Sequence, residues 1–151
     1  MQKKIEIVNR KAKFEYHLTN PFEAGIMLTG TEVKSIKVGN ANLNDAYCIF
    51  KGGELFIKSM YIAEYKHGTI HNHETRRDRK LLLKKSELRK LDRKAREKSM
   101  TIVPYKIYIN ERGFIKIEIY LAQGKRSFDK RETIKDRQNK RELDRIKKLN
   151  P

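Results

Sequence analysis

Between Thr101 and Leu121 apolar residues recur at every second position, and that alternation commits the chain to a fold built on β-sheet. Ile115, Ile117, Ile119 and Leu121 point one way, and Lys116, Glu118 and Tyr120 point the other. Their partner strand, residues 101–109, sets Val103, Tyr105, Ile107 and Ile109 on one face, and Asn110-Glu111-Arg112-Gly113 makes the turn between them. A first hairpin, earlier in the chain, is predicted from residues 45–51 and 54–62 around Gly52-Gly53, a pair suited to a two-residue turn.

The rest of the first half reads as short strands and turns. Phe14–Leu18 is β-like, Asn20-Pro21 marks a turn, and Phe22–Leu28 forms another strand. Thr31–Val38 predicts a short helix stopped by Gly39, with Val33 and Ile36 on one face. Tyr65–Arg79 has no apolar period and reads as a loop. Ser86 is placed to cap a helix running to about Lys98, with Leu88, Leu91 and Ala95 along one stripe. About six short strands with two interspersed helices predict a mainly β fold, a small closed barrel of the oligonucleotide-binding (OB) type. A half-open β-sandwich is its rival.

Charge narrows the function. The chain has 151 residues and a formal net charge of +17. Residues 1–75 hold 10 Lys/Arg against 8 Asp/Glu, and residues 99–123 hold 3 against 2. Residues 76–98 hold 12 against 4, and residues 124–151 hold 11 against 5. A nearly neutral body carrying two strongly basic segments is the footprint of a protein that grips a polyanion, and nucleic acid fits best.

The organisation predicted is a barrel domain over 1–123 and a basic tail over 124–151. In residues 129–150 the sizeable apolar groups are Ile134, Leu143, Ile146 and Leu149. Helical propensity is high there, but so little apolar area does not offset the ordering entropy. The tail is therefore expected to be disordered alone and helical against a partner. A terminal helix resting on the barrel through Leu143, Ile146 and Leu149 is the other reading.

Chemistry-bearing patterns are sparse. The lone Cys48 sits in a strand-like setting, forms no internal disulfide and fits a reducing compartment. His67, His71 and His73 lie close together, with Glu74 beside them, but lack the spacing of a zinc site, so a solvated loop is expected and no metal or cofactor. No nucleophile elbow, phosphate-cradling glycine loop or suggestive carboxylate pair is present, and the chain is read as not an enzyme. The N-terminus lacks the apolar core of a signal peptide, and no apolar run is long enough to span a membrane. A cytoplasmic protein with no membrane partner is expected. Strand aromatics offer stacking surfaces for unpaired bases, and Tyr108 and Tyr120, on the more polar register of the second hairpin, are the better candidates.

Six stretches, in order and with matching spacing, carry a family resemblance. They are Asn9-Arg10-Lys11-Ala12-Lys13-Phe14-Glu15-Tyr16, Phe22-Glu23-Ala24-Gly25 and Gly30-Thr31-Glu32-Val33-Lys34-Ser35-Ile36, then Gly39-Asn40-Ala41-Asn42-Leu43, Arg77-Asp78-Arg79-Lys80-Leu81-Leu82-Leu83 and Gly124-Lys125-Arg126-Ser127-Phe128-Asp129-Lys130-Arg131-Glu132. Together they resemble the SsrA-binding protein (small protein B) family of bacterial trans-translation. The resemblance implies an OB barrel that binds the tRNA-like domain of transfer-messenger RNA and accompanies it to stalled ribosomes. It further implies delivery by elongation factor Tu through the RNA complex. A tail that probes the empty messenger channel near the decoding centre is implied as well.

Carried over by position, the RNA-binding surface would include Asn9, Glu23, Leu82 and Lys116. Lys11, Arg79 and Lys80 from the matching motifs, with Tyr120, complete the candidate set. Gly124 would be the tail hinge, followed by the ribosome-facing Lys125, Arg126, Asp129, Lys130, Arg131 and, farther on, Ile146. The chain departs from the family pattern at Gln123, Phe128 and Lys147. A monomer is expected. A structural ribosomal or initiation-type RNA-binding protein with the same barrel is the alternative, which the RNA that co-purifies with the protein would discriminate.

Overall fold

The computed structural model describes residues 5–66, 72–125 and 127–149, with the backbone alone for 127–130, 132, 133 and 146–149. Nine strands and four helices run in the order β1 (Glu6–Val8), α1 (Arg10–Glu15), β2 (Tyr16–Ile26), α2 (Gly30–Lys37), β3 (Ala41–Asn42), β4 (Tyr47–Lys51), β5 (Glu54–Lys58), β6 (Tyr61–Ile62), β7 (Arg79–Leu82), α3 (Lys85–Glu97), β8 (Thr101–Ile109), β9 (Ile115–Gly124) and α4 (Ser127–Leu149). The main sheet is ordered β1-β8-β4-β5-β7-β2-β9, and β9 pairs back onto β8. Six strands therefore form a circuit of hydrogen-bonded neighbours, an OB-like arrangement. β1 extends the circuit from the edge of β8 at residues 106–108, while β4 meets β8 at Ile102.

The interior is filled by the inward register of each strand. Ile117, Ile119 and Leu121 of β9 meet Leu55 and Ile57 of β5 and Leu81 of β7 in one apolar core. Leu91 of α3 is buried in it, with Leu88 and Ala95 packed alongside, so the stripe expected on that helix is the one used. Cys48 is also inside, and burial pushes its thiol up, away from reactive thiolate.

Local chemistry explains the element boundaries. Gly52 and Gly53 both have positive φ, +60° and +77°, as a two-residue type I′ hairpin turn needs. Gly39, at φ +80°, ends α2 while the Asn40 N–H reaches Ser35 O at 2.9 Å. In the second hairpin Asn110 Oδ1 accepts from the N–H groups of Arg112 and Phe114 at 3.1 and 2.9 Å, fixing the turn.

Several expectations are corrected. The strand expected at Phe14–Leu18 begins only at Tyr16, because Asn9 caps a preceding helix: its Oδ1 accepts from Ala12 N–H at 3.2 Å. Asn20-Pro21 does not end the strand. It lies in a bulge of β2 between Thr19 and Phe22, where proline's missing N–H is tolerated and Asn20 takes φ +52°. Helix α3 begins at Lys85 because Glu87 reaches back to the Lys84 N–H at 3.1 Å, so Ser86 is not the cap. The hairpin expected over residues 45–62 ends at Lys58: β6 pairs with β3 instead. In β8 a register shift between Pro104 and Lys106 changes the phase, so Ile102 and Ile107 enter the main core and Val103 packs in a smaller cluster with Ala12 and Ala122. β7 lies where the expected loop ended.

Candidate nucleic-acid interface

β7 inverts the usual pattern. Arg79 and Leu81 face inward, while Lys80 and Leu82 face outward, and Leu82 is 47% exposed. A buried arginine needs a charge and acceptors. Glu32 of α2, also fully buried, gives its Oε2 to Arg79 Nε, and its Oε1 accepts from Arg77 at 2.6 Å and from the Thr29 N–H at 2.9 Å. Arg79 also donates to Met60 O at 2.8 Å and Thr75 O at 3.2 Å. Burial pushes the Glu32 carboxyl up, but the hydrogen bonds from Arg77, Thr29 and Arg79 outweigh it and leave it below its ordinary value. The cluster fastens the 72–82 segment to α2 and so fixes where Leu82 emerges.

Leu82 emerges beside β2. Gly25 pairs with Leu82 on one side and with Lys116 of β9 on the other, and Lys116 pairs with Tyr108 of β8. One outward row thus runs Leu82–Gly25–Lys116–Tyr108. The next row on the same face runs Glu23–Glu118–Lys106. Glu23, Leu82 and Lys116, far apart in sequence, share one face of the sheet.

The polar groups of this face are ordered by one another. Lys106 Nζ lies 3.6 Å from Glu118 Oε2 and 5.6 Å from the centre of the Tyr108 ring. Tyr120 donates to Glu118, and that bond, with burial, pushes its phenol up to about 12. Tyr120 also meets Tyr105 edge-on at 5.8 Å, and Lys13 lies 5.0 Å over the Tyr105 ring. Three residues after Leu82 begins α3, which with its flanking caps bears exposed Lys84, Lys85, Arg89, Lys90, Arg93, Arg96 and Lys98. The face therefore joins a specific hydrogen-bonding patch to a cationic flank, the division of labour used to hold structured RNA.

The remaining candidates are placed differently. Asn9 is 2% exposed, and its amide donates to Leu43 O at 3.0 Å and Pro104 O at 3.1 Å. It and Arg79 build the fold and do not present a surface to RNA, since their polar groups are consumed inside. Lys11 is exposed on α1, 3.8 Å from Glu15, and Lys80 is paired with Glu54 at 2.7 Å on the outside of β7. Tyr120 lies on the described face. Gly124 is the last residue of β9, paired with Tyr16, and the Lys125 N–H donates to Glu15 O at 2.8 Å, so sheet pairing runs past the glycine.

In α4, Arg131 is exposed, as are Ile134 and Leu143 at 43% and 59%. Arg137 lies over the Phe14 ring at 5.9 Å. Arg126, and the side chains of Asp129, Lys130 and Ile146, fall outside the described residues. So do His67 and His71; His73 is buried, with its ring bonded to Thr31 Oγ1 at 2.8 Å and Ile62 O at 3.0 Å. Among the described residues no group of three or more His, Cys, Asp or Glu is arranged to hold a metal ion. Among the same residues, no helix is long and apolar enough to cross a membrane. Reading the sequence alone set Glu118 and Lys106 on the outward register of their strands but did not name them, or Gly25, as parts of this face, because their place in it depends on which strands pair.

A strand circuit around one core, with a patterned polar face and a basic flank, defines a protein of the oligonucleotide-binding fold class. The family model described as SmpB protein matches residues 6–149, and the chain belongs to that family. An SsrA-binding protein of Parabacteroides distasonis is 52% identical over 141 residues, 93% of this chain and 92% of its own. Another, of Flavobacterium psychrophilum, is 50% identical over 148 residues, 98% of this chain and 99% of its own. A chain in the solved structure "tmRNA-SmpB: a journey to the center of the bacterial ribosome" is 44% identical, with a TM-score of 0.69, covering 86% of this chain and 94% of that one.

Proposed function

We propose that this protein binds the tRNA-like domain of transfer-messenger RNA and brings it to stalled ribosomes for trans-translation. The observation that carries this reading is the convergence of Glu23, Leu82 and Lys116 on one outer face beside the cationic α3. The resemblance to SsrA-binding proteins, and to a chain solved in tmRNA–SmpB on the bacterial ribosome, supports it. Glu23 and Lys116 supply an acceptor and a cation, Leu82 an apolar contact for a base or ribose, and α3 neutralises phosphates. No catalytic group is required. The protein acts as a cytoplasmic monomer, and elongation factor Tu joins through the RNA complex.

The tail beyond Gly124 reads the ribosome. Its cations suit a channel walled by ribosomal RNA, and an occupied channel excludes it sterically. In this reading Gly124, Lys125, Arg126, Asp129, Lys130, Arg131 and Ile146 face the ribosome.

A competition titration tests the RNA-binding part, with the isolated tRNA-like domain as ligand and an unrelated folded RNA as competitor. Glu23→Lys adds positive charge yet weakens specific binding, because the carboxylate acts by accepting hydrogen bonds. Equal or tighter specific binding by that variant overturns the role of Glu23. Indifference of the wild-type protein to which folded RNA it binds points instead to a general ribosomal RNA-binding protein.

A further inference from the structure

Apolar side chains left in water gather at one end of the sheet face. Before α4, the described residues expose five large ones, Met27, Val38, Tyr47, Leu82 and Phe114, and three of these surround a single glycine. Gly25 pairs with Leu82 of β7 on one side and with Lys116 of β9 on the other. Met27 lies two residues beyond Gly25, and Phe114 two residues before Lys116, so both hold outward register positions. Because β2 and β9 run antiparallel, the two steps lead to the same side of the Gly25–Lys116 pair. The Met27 N–H donates to Lys80 O at 3.0 Å, and the Phe114 N–H to Asn110 Oδ1 at 2.9 Å, which fixes both backbones. Leu82, Met27 and Phe114 are 47%, 52% and 62% exposed. Single exposed apolar residues are ordinary, whereas a cluster of them marks an interaction site.

We infer that this cluster is a stacking site for an unpaired base of the bound RNA, with the Phe114 ring as platform, Gly25 as floor and Lys116 as the cation beside it. This rests on the RNA-holding role proposed above for the Glu23–Leu82–Lys116 face, and it adds the part of the ligand taken at that end. The nearest atoms to a Cβ placed on Gly25 all belong to Leu82, so no other side chain crowds the glycine. A flat base can approach bare backbone there, where a side chain would hold it off. Leu82 and Met27 then cover the base and its ribose from the side away from the ring.

Charge selects the occupant. Lys116 stands in the cluster, Lys80 faces outward across from Met27, and Arg77 donates to Met27 O at 3.4 Å. Of the nearby carboxylates, Glu54 is held by Lys80 at 2.7 Å, Glu23 lies one row away, and Glu111 sits in the turn before Phe114. An apolar patch rimmed by cations suits a polyanion that displays aromatic faces, which is what a folded RNA with unpaired loop bases offers. A second copy of this chain would bring its own Lys116 and Arg77 against these, and repulsion opposes that contact. Phenylalanine has no hydrogen-bonding atom, so the site takes a base by its face, and the polar contacts of Glu23 and Lys116 are left to read its edges or its neighbours.

The chain contains no tryptophan, so Phe114→Trp places a single reporter in the site. Full-length wild type, Phe114→Trp, Phe114→Leu and Phe114→Ala are titrated against a transcript of the tRNA-like domain. The tryptophan variant keeps wild-type affinity, and its emission is quenched as the transcript binds and a base stacks on the indole. Phe114→Ala lowers affinity about tenfold, and Phe114→Leu, which keeps apolar surface but not the ring face, shows most of that loss. Urea midpoints stay close to wild type in all three, because the side chain is exposed. The slope of log affinity against log salt is also unchanged, since no phosphate contact is touched.

Unquenched emission on the bound transcript, or a Phe114→Leu affinity equal to wild type, overturns the stacking site while the Glu23 and Lys116 reading stands. Sedimentation showing that these substitutions alter self-association and not RNA affinity makes the cluster a contact between copies, and the inference fails. If wild type binds an unrelated folded RNA as tightly as the transcript, the reading of the ligand falls, and quenching by either RNA still decides whether Phe114 stacks.

Discussion

Glu32 and Arg79, 47 residues apart in the chain, face each other fully buried, and their ion pair ties helix α2 to strand β7. Removing one partner leaves the other charged in the core, which costs about 3–5 kcal/mol. Arg79→Met should therefore destabilise the fold by that amount in urea denaturation, because it also strips a donor from Met60 O and Thr75 O. Its effect on RNA binding should follow the loss of folded protein.

The same pair sets an acid dependence. The folded Glu32 carboxyl lies below its ordinary value of 4.5. Its contribution to stability is thus complete above that value and is lost as pH falls through the lower, folded one. Glu32→Gln should start less stable at neutral pH and show a flatter decline on acidification. Equal decline in both proteins, measured by urea midpoints between neutral and acid pH, would remove Glu32 from the acid response.

Gly25 leaves room for Leu82. A Cβ at Gly25 would stand 3.3 Å from Leu82 Cβ and 3.6 Å from its Cδ1. The first contact is close to the backbone, so the side chain cannot simply swing aside. Gly25→Ala should cost about 1 kcal/mol, overpacking slightly outweighing the entropy gained in the unfolded chain. Gly25→Val should displace Leu82 and reduce RNA affinity more than stability. A folded Gly25→Val protein with wild-type affinity would remove Leu82 from the contact surface.

Much of this arrangement is legible in the sequence, and the failures share a cause. Alternation in residues 115–121 and the stripe Leu88–Leu91–Ala95 are simple because apolar residues face the core. β7 is illegible for the opposite reason: in Arg79-Lys80-Leu81-Leu82 an arginine goes in and a leucine comes out. Only the distant Glu32 makes that burial possible. Bulges hide the rest. The shift between Pro104 and Lys106 reverses the phase of β8, so Val103 and Ile107 do not share a face despite their even spacing. Asn9 shows the limit of a motif read by position: the residue type matches, but its amide is spent on Leu43 O, Pro104 O and the cap of α1.

Helix α3 offers a test of charge alone. Arg89, Lys90 and Arg93 are exposed, and glutamine matches their helical propensity, so replacing all three should leave the melting temperature nearly unchanged. If each sits on a phosphate, the slope of log affinity against log salt should flatten by about 0.7–0.9 for each side chain removed. An unchanged slope would move the phosphate contacts elsewhere on the protein.

The tail should separate holding the RNA from using it on the ribosome. Sheet pairing ends with the Lys125 N–H on Glu15 O, so a cut after Lys125 removes α4 and spares the body. With Ile134 and Leu143 exposed, little apolar burial holds this helix in the free protein, and amides 131–145 should exchange rapidly there. Strong protection would mean the helix is stable before it meets a partner. The shortened protein should bind the tRNA-like domain nearly as tightly as the full chain, because the Glu23–Leu82–Lys116 face and α3 remain. It should nevertheless fail to support tag addition in a reconstituted translation system, where the empty messenger channel has nothing to admit. Tagging that survives the cut rules out the tail as sensor, and RNA binding that collapses with it assigns the tail to the RNA-holding surface.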